Sequence, residues 1–169
     1  MDSYFELYNL PLSFAPDAAA VRSQYFALSK KYHPDRAANG SEEEQAEALQ
    51  MSALNNAAYK TLSNEEATMG YVLKTLGIVK EEEKYALPPA FLMEMMELNE
   101  AIGNAGMAPD MLADAKREYE MAQTAWKSDT DKLVQRFEAG ERSEALLASL
   151  KDYYYRRKYL LRLKEQIEG

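Results

Sequence analysis

Residues 17–44 read DAAAVRSQYFALSKKYHPDRAANGSEEE. Asp17 stands before three alanines, where its carboxylate can accept from the free amides of a first helical turn. The helix it opens runs to Tyr32, with Val21, Tyr25, Leu28 and Tyr32 marking one apolar stripe. It must stop there, because a residue that precedes proline is biased toward extended backbone. His33 stands before Pro34, and the turn pair Asn39-Gly40 follows. Ser41 and Glu44 then form S-x-x-E, a capping box, which opens a second long helix through Leu49, Leu54 and Tyr59 to about Leu62. Two helices joined by about eight turn-rich residues pack as an antiparallel hairpin and display the loop at its tip.

Working outward, a short third helix is expected over Glu66 to Leu76. After Gly77 the stretch IVKEEEKYALPP is charged, ends in two prolines and lacks a stripe, which reads as a linker over 77–89. The helical pattern resumes in three pieces, about Pro89 to Gly103, Pro109 to Glu138 and Ser143 to Glu168, with glycine-containing breaks between them. The fold class is therefore all-α: a helical hairpin domain over 1–76, the linker, and an extended three-helix bundle over 90–169, its longer helices about 40 Å in length.

Composition limits the chemistry. Among 169 residues there is no cysteine and one histidine, so a cysteine nucleophile, a disulfide framework and a thiolate metal site are impossible. A hydrophobic fraction of 47% with 28% charged residues suits a globular chain with a packed core. No apolar run approaches the roughly 20 residues of a spanning helix, and the start MDSYFELYNL carries acids where a signal peptide carries bases. A cytoplasmic protein with no membrane partner is expected. The net charge of -8 argues against nucleic-acid partners as well.

The single histidine sits in His33-Pro34-Asp35, between a helix ending K-K-Y and a capped helix ending NAAYKTLS. In that setting the chain resembles a J-domain, the module by which co-chaperones stimulate DnaK-class chaperone ATPases. The resemblance implies that His33, Pro34 and Asp35 contact the chaperone, Asp35 offering a carboxylate to an arginine while Pro34 fixes the backbone. It assigns Arg22, Tyr25 and Lys30 to the same contact. Where general J-domains follow the helix tyrosine with two basic residues this chain has Phe26 and Ala27, which thins the basic face. Catalysis by His33 finds no support, because no second histidine, cysteine or serine elbow accompanies it.

The second half resembles that of the HscB (Jac1-like) co-chaperones of iron–sulfur cluster assembly, carried by Tyr71-Val72-Leu73 with Gly77 and by FLMEMMELNE from Phe91. The zinc-binding cysteines of longer members are absent, as in the shorter bacterial ones. At about 100° per residue, Phe91, Met95, Leu98 and Ile102 fall within roughly 60° of one another and form a packing stripe. Leu92, Met93 and Met96 point away, alongside Glu97 and Glu100. Periodicity leaves two readings of them, an exposed patch rimmed by acids or a helix buried on both faces. The resemblance implies contact with an IscU-type scaffold at Leu92, Met93, Met96, Glu97 and Glu100, joined by Tyr159 and, one turn earlier, Tyr155.

In the last helix Leu146, Leu150, Tyr153 and Leu160 define the expected core stripe. The basic–aromatic tract Tyr153 to Tyr159 could stack nucleic acid, but core tyrosines with snorkelling Arg and Lys explain it within an acidic protein. The acidic runs Glu42-Glu43-Glu44 and Glu81-Glu82-Glu83 read as a solvated helix start and a solvated linker. The expected function is a non-enzymatic adaptor without cofactor or metal, linking a DnaK/HscA-class chaperone to the scaffold. The alternative is a J-domain co-chaperone for other, unfolded or specialised clients.

Overall fold

Capping residues decide where the helices begin. In the computed structural model, which describes residues 3–169 apart from the side chain of Met107, Ser3 caps α1 (Tyr4–Leu7) and Asp17 caps α2 (Ala18–Lys31), its Oδ1 accepting from the amides of Ala19 and Ala20 at 2.8 and 3.1 Å. His33 precedes a single turn, α3 (Pro34–Ala37); Ser41 caps α4 (Glu42–Leu62), and Asn64 caps α5 (Glu65–Thr75). Beyond lie α6 (Pro89–Asn104), a 3-10 turn at Ala105–Met107, α7 (Pro109–Glu138) and α8 (Glu144–Glu168). There is no strand among the described residues, and the all-α expectation holds. At the α7–α8 turn Gly140 has φ +104, a backbone state that disfavours any residue with a Cβ.

The chain divides into two compact units, residues 1–76 and 77–169. In the first, α2 packs against α4, which also contacts α1, α3 and α5. The apolar floor is made by Phe5, Tyr8, Val21, Ala58, Val72 and Leu73. Asn55, 1% exposed, crosses this core. Its Nδ2 donates to the Tyr25 carbonyl and to Ser29 Oγ, both at 3.1 Å, and its Oδ1 accepts from the Tyr8 hydroxyl at 2.7 Å. One amide thus pins α2, α4 and the residue that closes α1. Burial first, then the neighbouring Tyr25 and Tyr59 phenols, raise the Tyr8 pKa well above the usual phenol range.

In the second unit α6, α7 and α8 pack pairwise around Met95, Leu98, Trp126, Phe137, Leu150 and Leu160. Three details depart from the sequence reading. Leu49 is not on the α4 stripe but 73% exposed, because α4 buries the small Ala48 and Ala58 together with Asn55 and Leu62. In α8 the buried tyrosine is Tyr154 rather than Tyr153, and Arg157 joins it under cover with its guanidinium over the Trp126 ring at 5.2 Å. A helix facing two neighbours buries a wider stripe than one facing a single neighbour. Finally, 77–89 is not a solvated linker, since it belongs to the second unit and packs on α8, as described below.

Replacing Asn55 by Ala should destabilise the first unit by about 2–3 kcal/mol, because the Tyr25 carbonyl and the Ser29 hydroxyl lose their donor and the Tyr8 phenol keeps only the residue 55 carbonyl, at 3.0 Å. Tyr8→Phe should cost less. The double variant should cost less than the sum, since each change removes the same bond. Urea denaturation of the full chain followed by circular dichroism reads all three; additivity would show that the two side chains are not coupled.

Candidate functional site

The hairpin tip is held from several sides. The Tyr32 carbonyl accepts from Ser52 Oγ at 3.0 Å, and Gln45 Nε2 reaches the carbonyls of Ala38 and Gly40, each at 3.3 Å. Pro34 supplies the first residue of α3, where its missing N–H costs nothing. The Asp35 amide donates to His33 Nδ1 at 3.2 Å, which makes Nδ1 the acceptor and leaves Nε2 as the ring's donor. The same Nδ1 lies 3.6 Å from Asp35 Oδ2. The Asp35 carboxylate is 92% exposed and the His33 side chain 56%.

Along α2, Arg22, Phe26 and Lys30 recur every four residues and are all exposed, Phe26 to 60%. Tyr25 is half-buried, stacked on Tyr59 with ring centroids 4.2 Å apart, and its hydroxyl donates to Asn56 Oδ1 at 3.2 Å. Arg22, Phe26 and Lys30 therefore line one side of α2, with Lys30 in its last turn next to the 33–35 turn and Arg22 about two turns further back. Sequence reasoning missed Phe26 as part of this face. It also missed the two residues, Gln45 and Ser52, that hold the loop, whose signal is a polar side chain on the inner side of α4.

The second candidate surface is the outer side of α6. Met93 and Met96 are 64% and 63% exposed, and Glu97 and Glu100 are exposed beside them. Leu92 is half-buried, so the patch is narrower than the helical wheel implies. Tyr159 is half-buried and meets Phe91 edge-on, centroids 6.3 Å apart at 83°.

Tyr155 is not a free platform. Tyr85, from the segment read as a linker, stacks on it at 4.6 Å and 9°. Around this stack the segment is tied to α8 by polar contacts: Glu83 accepts from Lys151 Nζ at 2.5 Å and from the Tyr155 hydroxyl at 3.3 Å, and Tyr85 donates to Asp152 at 2.7 Å. Asp152 is in turn paired with Arg156 at 2.6 Å, whose guanidinium lies over Phe91 and Tyr153. Burial, then the hydrogen bond and charge of Asp152, push the Tyr85 phenol up to about 12. Burial, then the charge and hydrogen bond of Glu83, push the Tyr155 phenol up to about 12. The Lys151 ammonium, then the Lys80 amide, hold the Glu83 carboxyl below its usual range.

Among the described residues, no three His, Asp or Glu side chains converge as a metal site, and no helix is long and apolar enough to cross a membrane. Residues 3–71 match the DnaJ domain, and residues 87–168 match the HSCB C-terminal oligomerisation domain. The co-chaperone protein HscB homolog of Vibrio cholerae serotype O1 (strain M66-2) is 31% identical, over 98% of this chain and 95% of that one. The chain belongs to the HscB co-chaperone family. The HscB homolog of Ralstonia nicotianae is 36% identical over 65% of this chain and 63% of its own. Chaperone HscB from Vibrio cholerae superposes with a TM-score of 0.75 at 28% identity, covering 98% of this chain and 95% of that structure. Human co-chaperone HscB gives 0.81 at 26%, covering 98% and 80%. The family places a J-domain around the His33 turn and an HscB C-terminal domain around α6 to α8.

Because its folded pKa is depressed, Glu83 contributes stability that is present above its unfolded value near 4.3 and lost as the pH falls toward the folded one. Glu83→Gln should therefore lower the melting temperature at about pH 7, and the gap to the parent should narrow in acid, as the Glu83 carboxyl takes up its proton. Thermal melts at neutral and acid pH check this; a gap that persists in acid would assign the effect to packing.

Proposed function

We propose that the J-domain docks on an Hsp70-class chaperone of the DnaK/HscA type and stimulates its ATPase, while the C-terminal domain carries an IscU-type scaffold to it, in the cytoplasm, during iron–sulfur cluster assembly. The observation that carries the first half is the Asp35 carboxylate, almost fully exposed on the 33–35 turn, with the His33 ring 3.6 Å away and no Lys or Arg of the described residues in ion-pair range. An arginine of the chaperone can pair with it bidentately, and the hydrogen bonds from Gln45 and Ser52 reduce the backbone entropy the loop loses on docking. Arg22 and Lys30 add steering charge, with Phe26 between them as an apolar contact. Tyr25, packed on Tyr59, supports this face from behind.

The second half rests on the Met93 and Met96 side chains, exposed one turn apart and edged by Glu97 and Glu100. Flexible, polarizable thioethers suit a partner surface that must adapt. Leu92 and Tyr159 supply the half-buried margin of this surface, whereas Tyr155 acts beneath Tyr85. The chain itself does no covalent chemistry in this scheme, since hydrolysis belongs to the chaperone and the cluster to the scaffold.

His33→Gln and Asp35→Asn should each abolish stimulation in a single-turnover ATPase assay with the chaperone, with melting unchanged because both side chains lie outside the core. Met93→Ala with Met96→Ala should leave the melt intact and weaken binding of folded scaffold at least tenfold, as truncated anchors cost more than about 1 kcal/mol each. Normal stimulation by Asp35→Asn would refute the first half. Scaffold binding unchanged by the methionine pair would refute the second.

A further inference from the structure

We infer that the groove between α6 and α7 forms a second half of the partner surface, one that takes a segment bearing Lys or Arg on both sides of a large apolar side chain. The inference rests on the reading that the outer side of α6 binds the scaffold, and extends that surface onto α7, which the sequence did not mark.

The groove holds about 440 Å³. Its floor is Leu98, with Ala122 and Ala125, whose small side chains open the seam between the helices. Glu94 and Glu97 line it from α6, and Glu118 from α7. All three carboxylates are exposed, and among the described residues none has a Lys or Arg in ion-pair range. Beside them Met121 is 72% exposed, more than Met93 or Met96. Glu118, Met121, Ala122 and Ala125 are spaced i, i+3, i+4 and i+7, so a single face of α7 presents them together. On α6, Glu97 lies between the Met93 direction and the groove at about 100° per residue, which makes the two surfaces continuous.

Charge decides the occupant. Three uncompensated carboxylates around an apolar floor attract cations and repel acidic surfaces. A second copy of the chain carries a net charge of -8, which opposes its approach to this acidic face. A basic segment satisfies both requirements: its apolar side chain fills the floor beside Met121, and its flanking ammonium or guanidinium groups meet Glu94, Glu97 and Glu118.

The test uses the full chain and isothermal titration with the folded IscU-type scaffold. Glu118→Lys and Met121→Ala alter exposed side chains, and each should melt natively. The expected result is affinity lower by about tenfold for Glu118→Lys and by several-fold for Met121→Ala, with a weaker salt dependence in the charge variant. If Glu118→Lys melts early, Glu118→Gln removes the charge isosterically and carries the same expectation. Parental affinity in the α7 variants, with binding lost in the Met93/Met96 variant, would overturn the groove while leaving the function intact. Parental affinity in all of them would overturn the underlying function. Sedimentation supplies the remaining outcome: self-association abolished by Met121→Ala at unchanged scaffold affinity would give the groove to a second copy and overturn the inference.

Discussion

The Asn55 carboxamide is the constraint on which the J-domain geometry depends. A helical hairpin of Ala-rich segments has little in its apolar contacts to choose one sliding register over another, since alanine faces are nearly featureless. A buried amide that must satisfy Tyr8, Ser29 and the Tyr25 carbonyl at once allows a single register. That register brings Ser52 under the Tyr32 carbonyl and Gln45 under the loop, and so sets the direction in which Asp35 points. The polar core residue and the exposed acid are two ends of one positional argument.

The two candidate surfaces use opposite physics. The turn at 33–35 is small, rigid and charged, suited to a contact whose strength lies in orientation. The α6 face is broader and built from flexible side chains over a packed bundle, suited to a partner recognised by apolar area with an acidic edge. Such division lets each contact be altered without disturbing the other. The polar clamp of Glu83, Tyr85, Lys151 and Asp152 belongs to neither surface and instead closes the bundle at one side.

What was legible in the sequence was local. Asp17, Ser41 and the Pro34 turn mark the helix ends because a cap acts within three or four residues, and the His33-Pro34-Asp35 tripeptide, by its position between them, marks the J-domain. The outer face of α6 was legible as well, through the clean stripe of Phe91, Met95, Leu98 and Ile102. The path of 77–89 was not, because its partners on α8 lie 67 to 72 residues away and nothing near Glu83 or Tyr85 announces them. Tyr153 and Tyr154 are adjacent, and only the placement of α7 decides which one turns inward. Met121 was hidden for a simpler reason, being an apolar residue on the solvent side of an amphipathic helix until α6 supplies the other wall. Helix α1, four residues long, is too short for any periodicity to reveal.

The clamp on α8 also orders events in time. During synthesis the strand of chain from Lys80 to Tyr85 emerges long before Lys151 and Asp152, so its anchors do not yet exist. Within the first unit the wait is similar, because the Tyr4 amide donates to the hydroxyl of Tyr71, and the two rings stack 4.5 Å apart. Helical contacts form early and cheaply, whereas these two closures join distant positions and carry the loop-closure entropy of the fold. The J-domain can therefore finish once α5 is complete, with Tyr71, Val72 and Leu73 all available, while residues 80–85 stay unsecured until the last helix is made.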